Sequence, residues 1–218
     1  MLSRLDDVIY PNRCEVIEIE PSQRYIYPIF KNASSSINEW ATQQKYKILF
    51  NEQLSRIDVI DVILRNPEER FISGINSFIW NLKRDNPTFD QTTILYFVEN
   101  YLFLNRHYAP QLAWLLNLFR YIDSTKINIV SMNSVKEYTP LNTKPEEDKI
   151  LSDKDVARLI GNKFNEMYLR LDTRLLDLVG NKWTKIQIMT HLLNRDPQAY
   201  FDTIGKCNTI LGQSDVLS

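Results

Sequence analysis

Runs of apolar residues, and stretches where apolar and polar residues alternate, predict strands in the first 130 residues of the chain. The segment 57–64 is the clearest, because Ile, Val and Leu fill all of its positions except two aspartates. Such a run is typical of a strand buried within a sheet. Three further segments share this enrichment in branched and aromatic residues: 24–30, 45–50 and 127–131.

Between and after these strands, apolar residues recur at the spacing of amphipathic helices. Ser36 and Glu39 have the spacing of a capping box and predict a helix that begins at Ser36. Pro67 suits the first turn of another helix. Further helices are predicted over 89–104, 112–122, 153–179, 182–193 and 197–211. The segment 139–149 is rich in proline and charge, which predicts a loop or lid.

Strands that alternate with helices indicate an α/β fold, in which a short central parallel sheet is flanked by helices. The last third of the chain is predicted to be helical. A length of 218 residues is compatible with one domain. Because ligands of such sheets bind where strands end and lead into helices, two strand–helix junctions are the first candidates for a site.

Composition excludes several classes of function. The chain has 26 Lys and Arg residues against 27 Asp and Glu residues, so no overall positive field attracts nucleic acid. Cys14 and Cys207 form neither a CxxC pair nor a Cys/His cluster, which argues against a metal site and favours reduced thiols in a cytoplasmic protein. The chain starts without the apolar core of a secretory signal, and no apolar run reaches the roughly 18 residues of a membrane span.

The first junction follows the strand 24–30. Its chemistry-bearing residues are Lys31, Asn32, Ala33, Ser34, Ser35 and Ser36. A helix start offers unpaired N–H groups and a positive dipole end, and small residues let the backbone curl around an anion. With the charge of Lys31 and three hydroxyls, the segment has the components of a phosphate cradle; the alternative is a capped helix with an exposed lysine. A Walker A loop is excluded, because no glycine precedes Lys31.

The second junction follows the strand 57–64 and reads R-N-P-E-E-R-F-I-S. Arg65 lies at the strand end, where its planar guanidinium can bind a phosphate. Ser73 lies about two helical turns further along. It meets the same anion only if the turn folds Arg65 back over the helix start. The alternative is a surface arginine that pairs with Glu68 or Glu69, and a serine that fills a helix interior.

Taken together, the two junctions resemble those of sulfotransferases that use 3′-phosphoadenosine 5′-phosphosulfate (PAPS). The first is similar to the family's 5′-phosphosulfate loop, a lysine followed by a small residue and then Ser or Thr. The second is similar to its 3′-phosphate motif, an arginine with a serine eight positions on, a spacing that Arg65 and Ser73 keep. Asn66 replaces the aspartate of the common R-D-P, and Ala33 replaces the glycine of many members, as in the Golgi carbohydrate branch.

The segment 105–111, N-R-H-Y-A-P-Q, resembles the histidine–aromatic–x–proline motif of that carbohydrate branch. The resemblance covers roughly residues 25–142 and implies a P-loop-NTPase-like three-layer fold. It implies a single domain over 1–218, with an N-terminal extension 1–23, a cofactor-binding core 24–142 and a helical C-terminal part 143–218. The activity implied is transfer of the sulfuryl group of PAPS to a hydroxyl acceptor, a carbohydrate in this branch, without a metal.

The resemblance also implies roles for the residues of both junctions. Lys31 would bind the bridging oxygen of the donor, and Arg65 and Ser73 would clamp its 3′-phosphate. The backbone N–H groups of residues 32–36, with the hydroxyls of the three serines, would hold its 5′-phosphate.

An acceptor hydroxyl needs a general base, and histidine is the usual choice near neutral pH. His107 is the leading candidate, with a loop histidine that fixes the turn before the following proline as the alternative. Glu39 and Glu52 are rival bases, although Glu39 also fits a helix cap. His191 is interpreted as a packing or surface residue.

Two other functions stay open. The chain could be a catalytically inactive nucleotide-binding protein whose aromatic residues between 96 and 121 contact a partner. It could also be an atypical kinase that binds ATP and does not recognise a 3′-phosphate. Turnover of PAPS and the affinity for nucleotides with and without a 3′-phosphate separate these functions.

Overall fold

A computed structural model describes residues 14–20, 22–29, 32–85, 87–88, 90–100, 107, 109–137, 151–195, 197–198 and 201. They form an α/β structure, a five-stranded mixed sheet flanked by helices. The strands are β1 (Glu15–Ile19), β2 (Arg24–Tyr27), β3 (Lys47–Phe50), β4 (Ile60–Leu64) and β5 (Ile127–Ser131). The helices are α1 (Ser34–Gln44), α2 (Pro67–Asp85), α3 (Gln91–Asn100), α4 (Gln111–Leu118), α5 (Asp153–Ile160), α6 (Lys163–Gly180) and α7 (Lys185–Arg195).

The strands are arranged in the order β3-β1-β2-β4-β5. The prediction of parallel pairing is confirmed for β2, β4 and β5. It is wrong for the whole sheet, since β1 runs antiparallel to both of its neighbours. β1 lies within the predicted extension 1–23, and a loop of only a few residues returns the chain into β2, as antiparallel pairs allow.

Both faces of the sheet are covered, which explains the dense apolar run in β4. Ile60, Val62 and Leu64 belong to a large core beneath α2, α4 and α6. Ile63 points to the other face, where it packs with Ile37 of α1 in a smaller core. All five residues of β4 are buried. A strand covered on both sides has no solvent face and therefore lacks a polar alternation.

The C-terminal part of the described chain packs on this sheet. The helix predicted over 153–179 is two helices, because α5 ends at Ile160 and α6 begins at Lys163. α6 contacts α2, α4 and β5. None of the described helices is both long and apolar enough to cross a membrane. The predicted loop 139–149 and most of the predicted helix 197–211 lie outside the described residues.

Candidate functional site

The two junctions lie next to each other at one edge of the sheet. β2 and β4 are parallel neighbours, with Tyr27 opposite Val62. Their carboxyl ends therefore meet at the same edge, and the segments that leave them lead into α1 and α2. This is the edge at which ligands of open α/β sheets bind.

Asn32 is the part of the first junction that the structure anchors most firmly. Its side chain is fully buried, and its Nδ2 donates to the Ile63 carbonyl and to Gln111 Oε1, both at 2.8 Å. Its backbone N–H donates to the Ile29 carbonyl at 3.0 Å. That N–H is committed to the turn, so the hydrogen bond from Asn32 N–H to a 5′-phosphate expected from the sequence does not fit this conformation.

Helix α1 begins at Ser34, two residues before the predicted start. Ala33 is its N-cap, in the left-handed conformation with φ of 62°, and makes no side-chain cap hydrogen bond. The predicted capping box is wrong, because Ser36 lies inside the first turn. The N–H groups of Ser34, Ser35 and Ser36 precede the first intrahelical hydrogen bond, from Ile37 N to Ala33 O, so they lack acceptors within the helix.

The three serines differ in exposure: Ser34 is buried, Ser36 is half-buried and Ser35 faces solvent. Lys31 lies outside the described residues. The left-handed angle at Ala33 is one that glycine adopts without strain.

At the second junction, Arg65 folds back towards α2. Its Nε lies 3.5 Å from Glu69 Oε2, and the two side chains are 27% and 66% exposed, so the pair is weakly held and solvated. Ser73 is one helical turn beyond Glu69 and thus on the same face of α2. Arg65, Glu69 and Ser73 therefore follow one another along that face. The contact with Glu69 is the alternative that the sequence left open for Arg65, a surface arginine paired with a glutamate.

Asn66 lies directly before α2 and binds the first turn of that helix. Its Oδ1 accepts the Glu69 N–H at 3.2 Å, and its carbonyl accepts the Arg70 N–H at 3.0 Å. The side chain thus caps the start of α2. Asparagine is among the residues that cap a helix start best.

Gln111, the first residue of α4, joins the two junctions. Its Oε1 accepts from Asn32 Nδ2 at 2.8 Å and from the Arg65 backbone N–H at 3.0 Å. Its Nε2 donates to the Arg65 carbonyl at 2.9 Å. The side chain is fully buried. One amide group thus connects residue 32 with residue 65.

The carboxylate of Asp172, on α6, binds the backbone at Gln111. Its two carboxylate oxygens accept the N–H groups of Gln111 at 2.8 Å and Leu112 at 2.7 Å, at the start of α4. Burial raises the pKa of Asp172, while the Arg70 guanidinium and these N–H groups act in the opposite direction. A carboxylate at a helix start also interacts favourably with the helix dipole.

Arg70 is the positive counterpart of Asp172 in this buried region. It is 1% exposed and donates to the Ala109 carbonyl. Burial lowers the pKa of Arg70 to about 10, and the attraction of Asp172 opposes that effect, so Arg70 stays protonated at neutral pH. Arg70 therefore supports the segment that leads into Gln111.

His107 is half-buried and lies two residues before Ala109. Among the rival bases, Glu39 is exposed on α1 and Glu52 is exposed in the short helix Asn51–Arg56 after β3. His191 packs edge-on against Trp183, with ring centroids 5.2 Å apart. In the part of the chain that the structure describes, no three His, Cys, Asp or Glu side chains gather closely enough to hold a metal ion.

Three residues of this region were not assigned a role from the sequence: Arg70, Gln111 and Asp172. Gln111 ends the segment 105–111, but that segment was selected for its histidine and proline. Asp172 lies in a helical pattern 61 residues away from Gln111, and nothing in its local sequence marks it as a partner.

The comparisons with known proteins give no family for this chain. No protein-family model matches it, and neither curated proteins nor solved structures gave a match.

Proposed function

We propose that this chain is a PAPS-dependent sulfotransferase that transfers a sulfuryl group to a carbohydrate hydroxyl. The observation that carries the proposal is the pair of hydrogen bonds at Gln111 Oε1, to Asn32 Nδ2 at 2.8 Å and to Arg65 N at 3.0 Å. Through Gln111, the segment that resembles the 5′-phosphosulfate loop lies beside the segment that resembles the 3′-phosphate motif. Two such segments must be neighbours if one nucleotide is to contact both.

The arrangement of the strands supports a P-loop-NTPase-like fold for the parallel part of the sheet. β2 leads into α1 through the first junction, and its parallel neighbour β4 leads into α2 through the second. Helices on both faces give three layers. β1 and β3 then extend this sheet on the far side of β2.

The groups available at the two junctions suit the two ends of PAPS. The N–H groups of Ser34, Ser35 and Ser36 at the start of α1 can donate to a 5′-phosphate. Arg65, whose side chain pairs with an exposed glutamate, is available for a 3′-phosphate, with Ser73 on the same helix face. Lys31 would contact the oxygen that bridges the sulfuryl group and the 5′-phosphate.

When bound, PAPS supplies the sulfuryl group to be transferred. His107 would accept the proton of the acceptor hydroxyl while that oxygen forms its bond to sulfur. The bond between sulfur and the bridging oxygen breaks, and Lys31 would offset the charge that develops on this leaving oxygen. The products are a sulfate ester and 3′-phosphoadenosine 5′-phosphate (PAP), by an in-line transfer with demands similar to those of phosphoryl transfer.

Nucleotide selectivity tests this proposal directly. We expect PAP to bind at least about 30-fold more tightly than ADP by calorimetry, because a charge-assisted contact to the 3′-phosphate contributes roughly 2 kcal/mol. Equal affinities would favour an ATP-binding kinase, and no binding of PAP would contradict the proposal. Tight PAP binding without turnover of labelled PAPS on a panel of glycans would indicate an inactive nucleotide-binding protein.

The role of His107 is tested by a replacement that keeps its approximate size. We expect His107→Gln to lower kcat by about 100-fold or more, because a positioned general base contributes 10²–10⁴-fold. The affinity for PAP should stay within about twofold of wild type, since His107 is not assigned to the nucleotide. His191→Gln is the matched control and should leave kcat unchanged. Wild-type turnover in His107→Gln would remove His107 as the base.

A further inference from the structure

We propose that Gln111 is a positioning residue that fixes the separation of the two junctions, and that Asp172 of the C-terminal part holds Gln111 in place. The inference rests on the proposed function, because the segments it concerns are those assigned to PAPS. It gives the helical C-terminal part of the chain a role in the site without any contact to the ligand.

The Gln111 side chain completes the backbone pairing of Arg65 just beyond the end of β4. It accepts the Arg65 N–H and donates to the Arg65 carbonyl, at 3.0 Å and 2.9 Å. The same oxygen accepts from Asn32 Nδ2, which also donates to the Ile63 carbonyl. Residues 32 and 65 are thus fixed relative to each other by one buried amide. Arg65 is itself proposed to contact a phosphate, and Asn32 follows Lys31, which is assigned to the 5′ end.

Asp172 determines where this amide lies. It accepts the N–H groups of Gln111 and Leu112 with separate oxygens, which fixes the first turn of α4 relative to α6. α6 in turn contacts α2, the helix that follows Arg65. The chain of contacts therefore runs from α6 through Asp172 and Gln111 to both junctions.

The binding of a ligand with phosphates at both ends depends on the distance between the two junctions. A displacement of about 1 Å in a positioning contact can lower a rate by about 100-fold. The Nε2 group of Gln111, which donates to the Arg65 carbonyl, is as necessary as its accepting Oε1. A carboxylate at position 111 would place a second oxygen against the Arg65 carbonyl, where no hydrogen bond can form. Gln111→Met removes all three hydrogen bonds at similar size, whereas Gln111→Glu removes only the donor while the carboxyl is ionised.

The experiment compares these two variants with Asp61→Asn, a matched control at the opposite end of β4. Asp61 is 5% exposed and accepts from Arg24 and Asn128 across three strands, so its replacement weakens the sheet away from the junctions. At a temperature at which all variants are folded, we expect Gln111→Met to lower the affinity for PAP by about 10- to 100-fold. Asp61→Asn should lower the thermal unfolding temperature yet keep that affinity within twofold.

The pH profile separates positioning from general destabilisation. As the pH falls, the carboxyl group of Gln111→Glu gains a proton that it can donate to the Arg65 carbonyl. The PAP affinity of Gln111→Glu, relative to that of wild type at the same pH, should therefore recover in acid. Gln111→Met has no group to protonate and should show no such recovery. If Gln111→Met and Gln111→Glu both bind PAP as tightly as Asp61→Asn does, the inference is wrong.

Hydrogen exchange distinguishes failure of this inference from failure of the proposed function. If wild type binds no PAP, the proposed function is overturned. The exchange rate of the Arg65 amide then tests whether Gln111 has the positioning role. Faster exchange of that amide in Gln111→Met than in Asp61→Asn supports the positioning role. Equal exchange in the two variants overturns it.

Discussion

Replacing Arg65 with alanine is expected to weaken the binding of PAP by about 100-fold. Arg65 lies at the end of β4, its side chain is 27% exposed, and it pairs with a solvated glutamate 3.5 Å away. Little is lost from the free protein when this pair is broken. In the complex the guanidinium would meet the 3′-phosphate, and truncation of one partner of a charge-assisted contact costs roughly 2–5 kcal/mol. Isothermal titration calorimetry measures the difference.

The control for Arg65→Ala is Arg84→Ala, which removes an exposed arginine at the other end of the same helix. The affinity of Arg84→Ala for PAP should equal that of wild type. Adenosine 5′-phosphosulfate, which lacks the 3′-phosphate, should bind Arg65→Ala and wild type about equally. Lys31→Ala should weaken both nucleotides, because Lys31 is assigned to the 5′ end. Unchanged PAP affinity in Arg65→Ala and Lys31→Ala would remove the assignment of PAPS.

Arg70→Met is expected to cause the largest loss of stability, about 3–5 kcal/mol. Arg70 is 1% exposed, donates to the Ala109 carbonyl and attracts the buried Asp172. Methionine fills much of the same volume but leaves the carboxylate of Asp172 in the core without its positive counterpart. A domain is stable by only about 5–15 kcal/mol, so urea unfolding of wild type and of Arg70→Met should show a loss of this size clearly. Arg84→Met, on the exposed end of α2, should change stability by less than about 0.5 kcal/mol.

The loss caused by Arg70→Met should depend on pH in a defined direction. Burial raises the pKa of Asp172 in the folded protein. The stability linked to its protonation is therefore complete below its unfolded pKa of about 3.9 and is lost as the pH rises through the folded pKa. Without Arg70 the folded pKa rises further, so more stability is lost at neutral pH. The difference between wild type and Arg70→Met should narrow in acid, and a constant difference would contradict the interaction with Asp172.

The two junctions of the candidate site were selected from short sequence patterns, whereas the buried groups that join them have no such pattern. Arg65 at a strand end and the small residues at the start of α1 were identified from local spacing, and the structure places both at the same sheet edge. The start of α1 was predicted wrongly, because the capping-box spacing of Ser36 and Glu39 was present but unused. Ala33, whose φ lies in the left-handed region, ends the preceding turn. Helix α1 therefore begins at Ser34, two residues before the predicted start.

The sequence by itself located β2, β3, β4 and β5 and the helix that begins at Pro67, because dense apolar runs and helix-start residues act within a few neighbours. The predicted starts of β3 and β4 were too early, since these strands begin at Lys47 and Ile60. The tertiary structure decided the rest. Which strands became neighbours, and the inclusion of β1, depend on pairing between distant segments. The contacts of Gln111 with Asn32, Arg65 and Asp172 span 79, 46 and 61 residues. A side-chain amide or carboxylate has the same local sequence whether it faces solvent or joins two loops, so only the packing of α4 and α6 on the sheet could assign these roles.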